Sequence, residues 1–208
     1  MKRTQRGTTL MEIAVTLAVI GVITSVALVN MDDVRLKQSE RDGLREISIL
    51  AIQARTSARK GQYPVRLAVH PRTDRPGHII RWEQLGCTNP TDKWGVDCPS
   101  AACQSNACGQ GGCTCVAVGE PIPVPDTLDI SALDGLCWLA RSAQPRQRGT
   151  AGPHPTDCDK NAAPPQGPLR IKERGGVVHH LLQVDGLTGA MRMIDCTGST
   201  PDPACTGP

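Results

Sequence analysis

Ten cysteines are the residues of this 208-residue sequence with the most evident chemistry, and all of them lie between Cys87 and Cys205. An even number of cysteines without metal-type spacing predicts disulfides formed in an oxidising compartment. Their spacing leaves the pairing open, although Cys196 and Cys205 are close enough to close a small terminal loop. The disulfide candidates are Cys87, Cys98, Cys103, Cys108, Cys113, Cys115, Cys137, Cys158, Cys196 and Cys205.

A zinc site is the alternative chemistry for these cysteines. No Cys-x-x-Cys pair occurs, and Cys113 and Cys115 are too close for the usual zinc-knuckle spacing. Attachment of a c-type haem requires Cys-x-x-Cys-His, which is also absent. We therefore expect no metal and no cofactor.

Motifs of catalysis are missing from the sequence. It contains no Gly-x-Ser-x-Gly and no His-Glu-x-x-His, and the glycines at 109–112 lack the strand-then-helix context of a phosphate-binding loop. We predict that the protein has no catalytic residues and is not an enzyme.

One acidic residue, Glu12, stands at the start of the apolar stretch Gly7–Val29. No residue from Ile13 to Val29 is charged. As a helix, Leu10–Val29 would be about 30 Å long, the thickness of the hydrocarbon core of a bilayer. We therefore expect a single pass through a membrane, with the C-terminal domain outside the cytoplasm. The orientation follows from the basic residues of the leader, which are Lys2, Arg3 and Arg6.

This N-terminal pattern resembles the class III leader of type IV pilins and pseudopilins, which a prepilin peptidase cuts after a glycine. Gly7 fits the cut site, Thr8 becomes the first mature residue and Glu12 becomes the fifth. The resemblance implies N-methylation of Thr8 and pairing of Glu12 with the terminal ammonium of a neighbouring subunit during assembly. Two positions depart from the family, because Thr8 replaces the usual Phe and Val29 replaces the usual Pro.

The following segment, residues 30–61, predicts an amphipathic continuation of the helix. Its apolar residues recur at three- and four-residue spacing, and Gly61 is suited to the C-terminal cap. The end of this helix, Ala54–Gly61, resembles the minor pseudopilin H (GspH/FimT-type) family, as does the turn Asp185–Gly189 between two strands. The predicted buried stripe is Leu44, Ile47, Leu50, Ala51, Ala54 and Ala58.

Short strands predict a β-rich domain over residues 62–208. Residues 84–119, dense in Cys and Gly, are expected to form a disulfide-stapled insertion, and Pro121–Pro125 a rigid connector. The predicted fold class is α+β and pilin-like: a long N-terminal helix with a membrane-spanning first half (8–29), then antiparallel sheets. The predicted strands are Tyr63–Val69, His78–Trp82, Cys113–Val118, Leu136–Ala140, Leu169–Lys172, Val177–Val184 and Ala190–Ile194. The turn-forming spacer Pro71–Gly77 predicts that the first two strands form a hairpin.

Charge and composition narrow the expected partners. The net charge is +3, and without the three leader cations basic and acidic residues balance at 20 each. With no Phe, three Trp and one Tyr to stack on bases, we expect no nucleic-acid partner. The resemblance implies other partners: the bacterial inner membrane in a single pass, with the C-terminal domain periplasmic or extracellular, the prepilin peptidase and other pilin or pseudopilin subunits.

The resemblance implies a minor subunit, cleaved after Gly7, of a type II secretion pseudopilus or a type IV pilus tip. Two alternatives stay open. In the first, residues 2–27 are a signal peptide and the chain is a secreted or anchored disulfide-rich binding module. In the second, it is a DNA-binding minor pilin for DNA uptake.

Overall fold

The computed structural model describes residues 10–87, 89, 91, 103, 106–146, 158, 163–173, 178–197 and 203–205. It describes their side chains except at 26–33, 173, 178 and 179. The chain divides into two compact units, Met1–Arg41 and Asp42–Pro208. Helix α1, Leu10–Lys60, contributes to both units. The predicted cleavage and methylation sites, Gly7 and Thr8, lie outside the described residues.

In the first unit, the part of α1 from Leu10 to Ser25 exposes every side chain. The hydroxyl groups of this segment bond to its own backbone. Thr16 Oγ1 donates to the carbonyl of Glu12 at 2.9 Å, and Thr24 Oγ1 donates to the carbonyl of Ile20 at 2.7 Å. These bonds satisfy the hydroxyl donors within the helix itself, so Glu12 is the one charged group that the segment presents.

The predicted membrane-spanning half of the helix is wrong for the part of the chain that the structure describes. There, no helix is both long enough and apolar enough to cross a membrane. Charged residues bound the apolar stretch, with Glu12 at its start and Asp32 and Asp33 shortly after Val29, and charged side chains are costly inside a bilayer. The predicted single pass through the inner membrane is therefore wrong. The predicted fold class is wrong as well, because it required a membrane-spanning first half of the helix. Apart from α1 and two short 3-10 helices, the described elements are strands of antiparallel sheets.

In the second unit, α1 buries one stripe and exposes the rest. The stripe is the predicted one, confirmed by 5% exposure or less at Leu44, Ile47, Leu50, Ala51, Ala54 and Ala58. The helix ends at Lys60, and the Gly61 amide donates to the carbonyl of Ser57 at 2.8 Å. Arg59 and Lys60 lie in the last turn, where positive charge complements the helix dipole.

The first sheet is organised on the hairpin of β1, Val65–Pro71, and β2, His78–Leu85. Its register runs from Val65 opposite Gln84 to Pro71 opposite His78, which confirms the predicted hairpin and extends β2 three residues beyond Trp82. The sheet also contains β3, Cys115–Val118; β4, Ile122–Val124; β6, Cys137–Trp138; and β7, Pro145–Arg146. The order is β3-β2-β1-β6-β7, and β4 also pairs with β2.

Strand β4 corrects the predicted proline-rich connector. Ile122 pairs with Ile80, and Val124 pairs with His78. Pro123, which has no N–H to donate, is tolerated because β4 pairs only with β2. Proline spacing alone could not distinguish a linker from an edge strand of this kind.

The second sheet has the order β10-β9-β8-β5. Its strands are β5, Leu128–Asp129; β8, Leu169–Glu173; β9, Val178–Val184; and β10, Met191–Asp195. The turn between β9 and β10 is closed by Asp185, whose Oδ1 accepts from the Thr188 amide at 2.7 Å. The buried stripe of α1 and residues of both sheets, Trp138 among them, form one core.

Disulfides confirm the predicted use of the cysteines. The described pairs are Cys103–Cys113, Cys108–Cys115, Cys137–Cys158 and Cys196–Cys205. The last is the predicted terminal loop. Cys87 is also disulfide-bonded, and Cys98 lies outside the described residues.

Candidate functional site

The segment Leu10–Ser25 of α1, here called the apolar helix, is the most unusual surface of the described chain. Leu10 is 87% exposed, Leu17 63% and Ile20 58%. Successive helical residues point about 100° apart, so these side chains face several directions. A helix that is apolar on all sides is normally buried against other elements. The apolar helix is therefore a candidate interaction surface.

Glu12 is the single charged residue of the apolar helix. It lies in the first turn of α1 and is exposed. Its carboxylate is favourably placed there, because the first turn carries the positive end of the helix dipole. Of the three residues predicted for processing and assembly, Glu12 is the one whose position the structure describes.

A second polar feature, not predicted from the sequence, lies inside the second unit. Arg66 on β1 and Glu83 on β2 are directly opposite each other in the hairpin, and their side chains are 5% and 0% exposed. Arg66 Nη2 lies 2.7 Å and Nε lies 2.9 Å from Glu83 Oε2. Arg81 Nη2 donates to the other oxygen, Oε1, at 2.6 Å. We call Arg66, Arg81 and Glu83 the buried charge cluster.

The buried charge cluster holds the cysteine-rich insertion against the hairpin. Arg66 Nη1 donates to the carbonyl of Cys103, and Nη2 donates to the carbonyl of Asn106 at 2.8 Å. The backbone amide of Cys108 donates to Glu83 Oε1 at 3.5 Å. Each guanidinium and carboxylate bond replaces water that burial removes, so the cluster fixes where the insertion backbone can lie.

The charge state of Glu83 follows from these neighbours. Burial by itself raises its pKa, but His70, Arg66 and Arg81 together outweigh burial and lower the pKa of Glu83 to about 2. His70 Nε2 lies 3.7 Å from Glu83 Oε1, which is longer than a hydrogen bond. The direct bonds to Glu83 therefore come from the two arginines.

Sequence reasoning missed this cluster for a definite reason. The alternation of Tyr63–Val69 puts Val65, Leu67 and Val69 on one side of the strand, so Arg66 falls on the opposite side, where no burial is expected. The second predicted strand ended at Trp82, one residue before Glu83. An arginine opposite a glutamate in the extended hairpin was the available signal, but only the insertion, far along the chain, makes that face buried.

Two concave surfaces accompany these features. A groove of about 360 Å³ lies between α1 and β4, and its lining includes Glu46, Ile49 and Pro121. A cavity of about 470 Å³ is lined by two disulfides of the insertion, Cys103–Cys113 and Cys108–Cys115, through Cys108, Cys113 and Cys115.

The three cysteine sulfurs beside that cavity have the proximity of metal ligands. Those of Cys108, Cys113 and Cys115 lie within 4.8 Å of one another. All three are bonded in disulfides, so none is the thiolate that zinc requires.

Comparisons with known proteins give no family model, no curated protein and no solved structure that matches this chain. The site must therefore be interpreted from its own chemistry. It offers an apolar surface for association and a disulfide-bonded domain whose insertion is held by buried charges.

Proposed function

We propose that this protein is a non-catalytic minor subunit of a filament of the type IV pilin class, a type II secretion pseudopilus or a type IV pilus tip. In this proposal a prepilin peptidase cleaves it after Gly7, and the new terminus at Thr8 is methylated. The apolar helix then joins the helices of other subunits. The second unit provides the folded surface of the subunit.

The exposed apolar helix carries the proposal. Burying a Leu, Ile or Val side chain contributes roughly 1.5–3 kcal/mol, and Leu10, Leu17 and Ile20 are each more than half exposed. Three such side chains covered by a neighbouring helix supply roughly 5–9 kcal/mol, within the range of the roughly 4–15 kcal/mol that association costs, and the other exposed apolar side chains of the apolar helix add to this. Helices of other subunits are the cover that a filament supplies.

Glu12 supports the same proposal. An exposed carboxylate at the start of an apolar surface would be costly to bury without a cation. The ammonium at Thr8 of a neighbouring subunit is the proposed partner. It would neutralise the charge and fix how far one helix is shifted along the next.

The mature N-terminus tests the processing step. The full chain is produced with and without a prepilin peptidase, and the terminus is determined by mass spectrometry. The proposal expects a start at Thr8 only when the peptidase is present. A start at Leu28 would instead support a cleaved signal peptide and would overturn the proposal.

Assembly is tested by photo-crosslinking from Leu17, in the apolar helix, with Ile52 as the control position in the second unit. Both side chains are exposed, at 63% and 52%. We expect subunit–subunit adducts from Leu17 and few from Ile52. Glu12→Val should retain cleavage but reduce the adducts from Leu17, whereas undiminished adducts would contradict the proposed role of Glu12.

A further inference from the structure

Two disulfides of the insertion are close enough to exchange partners. The sulfurs of Cys108, Cys113 and Cys115 lie within 4.8 Å of one another, and these residues belong to the pairs Cys103–Cys113 and Cys108–Cys115. Cys103 and Cys113 are buried, with 2% and 3% exposure. Cys108 and Cys115 are half-buried. One disulfide is therefore accessible to a solution reductant, and a protected one adjoins it.

The accessible disulfide lies beside an opening. The cavity of about 470 Å³ is lined by Cys108, Cys113 and Cys115 and by two glycines, Gly109 and Gly112. Both glycines have positive φ, 82° and 84°, which disfavours a side chain at either position. The wall therefore stays open, and a small thiol can reach the sulfurs.

The local backbone holds Cys108 near Cys113. The Gly109 amide donates to the carbonyl of Cys113 at 2.9 Å, and the Cys113 amide donates to the carbonyl of Gln110 at 2.8 Å. These two bonds close a turn that begins directly after Cys108. The approach of the two sulfurs is thus built into the turn.

A positive charge lies at the sulfur where exchange would be centred. Arg66 Nη2 is 4.0 Å from Cys113 Sγ. Thiol–disulfide exchange passes through a state in which one negative charge is spread over three sulfurs in line. A guanidinium beside the central sulfur stabilises that charge, and burial strengthens the attraction.

We propose that these residues form an internal thiol–disulfide exchange site. A dithiol reductant first reduces Cys108–Cys115 to two thiols and is itself oxidised to a disulfide, a two-electron transfer. The Cys108 thiolate, its proton released to water, then attacks Cys113 Sγ. A Cys108–Cys113 disulfide forms, the Cys103–Cys113 bond breaks, and Cys103 leaves as a thiolate that takes up a proton. The products hold free thiols at Cys103 and Cys115.

Cys108 rather than Cys115 is the attacking residue. A disulfide between Cys113 and Cys115 would bridge positions only two apart, where Cys115 begins β3, and extended backbone holds such positions near the limit of disulfide reach. Cys108 and Cys113 are separated by the closed turn and meet without this restriction. Exchange therefore replaces the free thiol at Cys108 with a free thiol at buried Cys103, whose backbone carbonyl accepts from Arg66.

The oxidised full chain provides the first test. One molar equivalent of dithiothreitol is added and exchange is stopped with acid at successive times. The chain is then unfolded at acidic pH and labelled with N-ethylmaleimide, so that buried thiols react too, and labelled cysteines are located by tandem mass spectrometry. Among molecules labelled at Cys115, the second label should move from Cys108 at early times to Cys103 later, as a Cys108–Cys113 disulfide appears. A second label that stays on Cys108 throughout would overturn the proposal.

A matched pair of variants repeats the test without reductant. Cys115→Ser leaves Cys108 as the thiol, and after acid quenching and unfolding the label should be found on Cys103. Cys108→Ser leaves Cys115 as the thiol, and the label should remain on Cys115. Labelling of Cys108 in the first variant, or of Cys103 in both, would overturn the assignment of Cys108 as the attacking residue.

Discussion

Both parts of helix α1 carry apolar side chains, but the environments of these side chains differ. From Leu10 to Ser25 the apolar side chains are exposed. From Leu44 to Ala58 one apolar stripe is buried in the core of the second unit. A helix with a single apolar face can be covered by its own chain, whereas a helix that is apolar all round needs cover from other molecules.

Three matched pairs of residues express this difference, one member in each unit. Glu12 is exposed and Glu83 is buried among arginines. Ile20 is exposed and Ile47 is buried. A side chain at Gly21 would meet open space, whereas one at Gly43 would meet Pro125. Changing both members of a pair in the same way separates folding within the chain from association between chains.

The largest difference is expected for the acidic pair. Glu83→Gln leaves Arg66 buried without its carboxylate, and breaking a buried ion pair in this way lowers the free energy of unfolding by about 3–5 kcal/mol. Glu12→Gln, at an exposed position, should change it by less than about 0.5 kcal/mol. Urea denaturation of the full chain measures both. Equal effects would show that the cluster is not what holds the second unit together.

Acid should remove the same contribution. The pKa of Glu83 is lowered from 4.5 to about 2, so the stabilisation is present above pH 4.5 and is lost as the pH falls towards 2. Asp74, whose pKa is also about 2 because Arg72 bonds to it, titrates in the same range. The wild-type free energy of unfolding minus that of Glu83→Gln isolates Glu83. A difference that stays constant between pH 5 and 2 would contradict this assignment.

The sequence predicted those features that depend on local periodicity. The buried stripe of α1, the β1–β2 hairpin and the loop closed by Cys196 and Cys205 each follow from spacing within a short segment. In the hairpin and the terminal loop, the residues that come together are near in sequence. The stripe requires only that some apolar core packs against it. For this reason the pattern was sufficient without knowledge of the tertiary structure.

The remaining features depend on contacts between distant residues. Arg66 and Glu83 become buried because the backbone around Cys103 and Asn106 covers them, which no pattern in either strand indicates. The membrane-spanning prediction was wrong for a different reason. It counted the residues of an apolar stretch, whereas no helix among the described residues is both long enough and apolar enough to cross a membrane.

The isoleucine pair gives the next difference. Ile47→Ala should lower the free energy of unfolding by about 2–5 kcal/mol, because it leaves a cavity in a packed core. Ile20→Ala should change it by less than about 0.5 kcal/mol. Thermal denaturation measures both variants. The yield of subunit–subunit adducts crosslinked from Leu17 should change in the reverse order, with Ile20→Ala giving the larger loss. A loss of adducts in Ile47→Ala alone would contradict the assignment of Ile20 to association and Ile47 to folding.

The glycine pair gives the smallest difference, and its two members should differ in sign. At Gly21 an added Cβ meets nothing within 4 Å. Gly21→Ala should therefore stabilise the helix locally by about 0.5–1 kcal/mol through backbone entropy. At Gly43 an added Cβ would lie 2.9 Å from Pro125 Cδ and 3.3 Å from Cγ. The strain of such overpacking, about 1–3 kcal/mol, exceeds the same entropic gain.

Amide hydrogen exchange across the first part of α1 should slow in Gly21→Ala, while the unfolding midpoint of the second unit stays unchanged. Gly43→Ala should lower that midpoint, with a net loss of about 1 kcal/mol in the free energy of unfolding. Pro125→Ala removes the ring carbons that the new methyl group would meet. In that background Gly43→Ala should no longer lower the midpoint, because only the gain in helix propensity remains. If Gly43→Ala were stabilising in the wild-type background as well, the ring of Pro125 would have to move aside freely, and the second part of α1 would not be closely packed at this position.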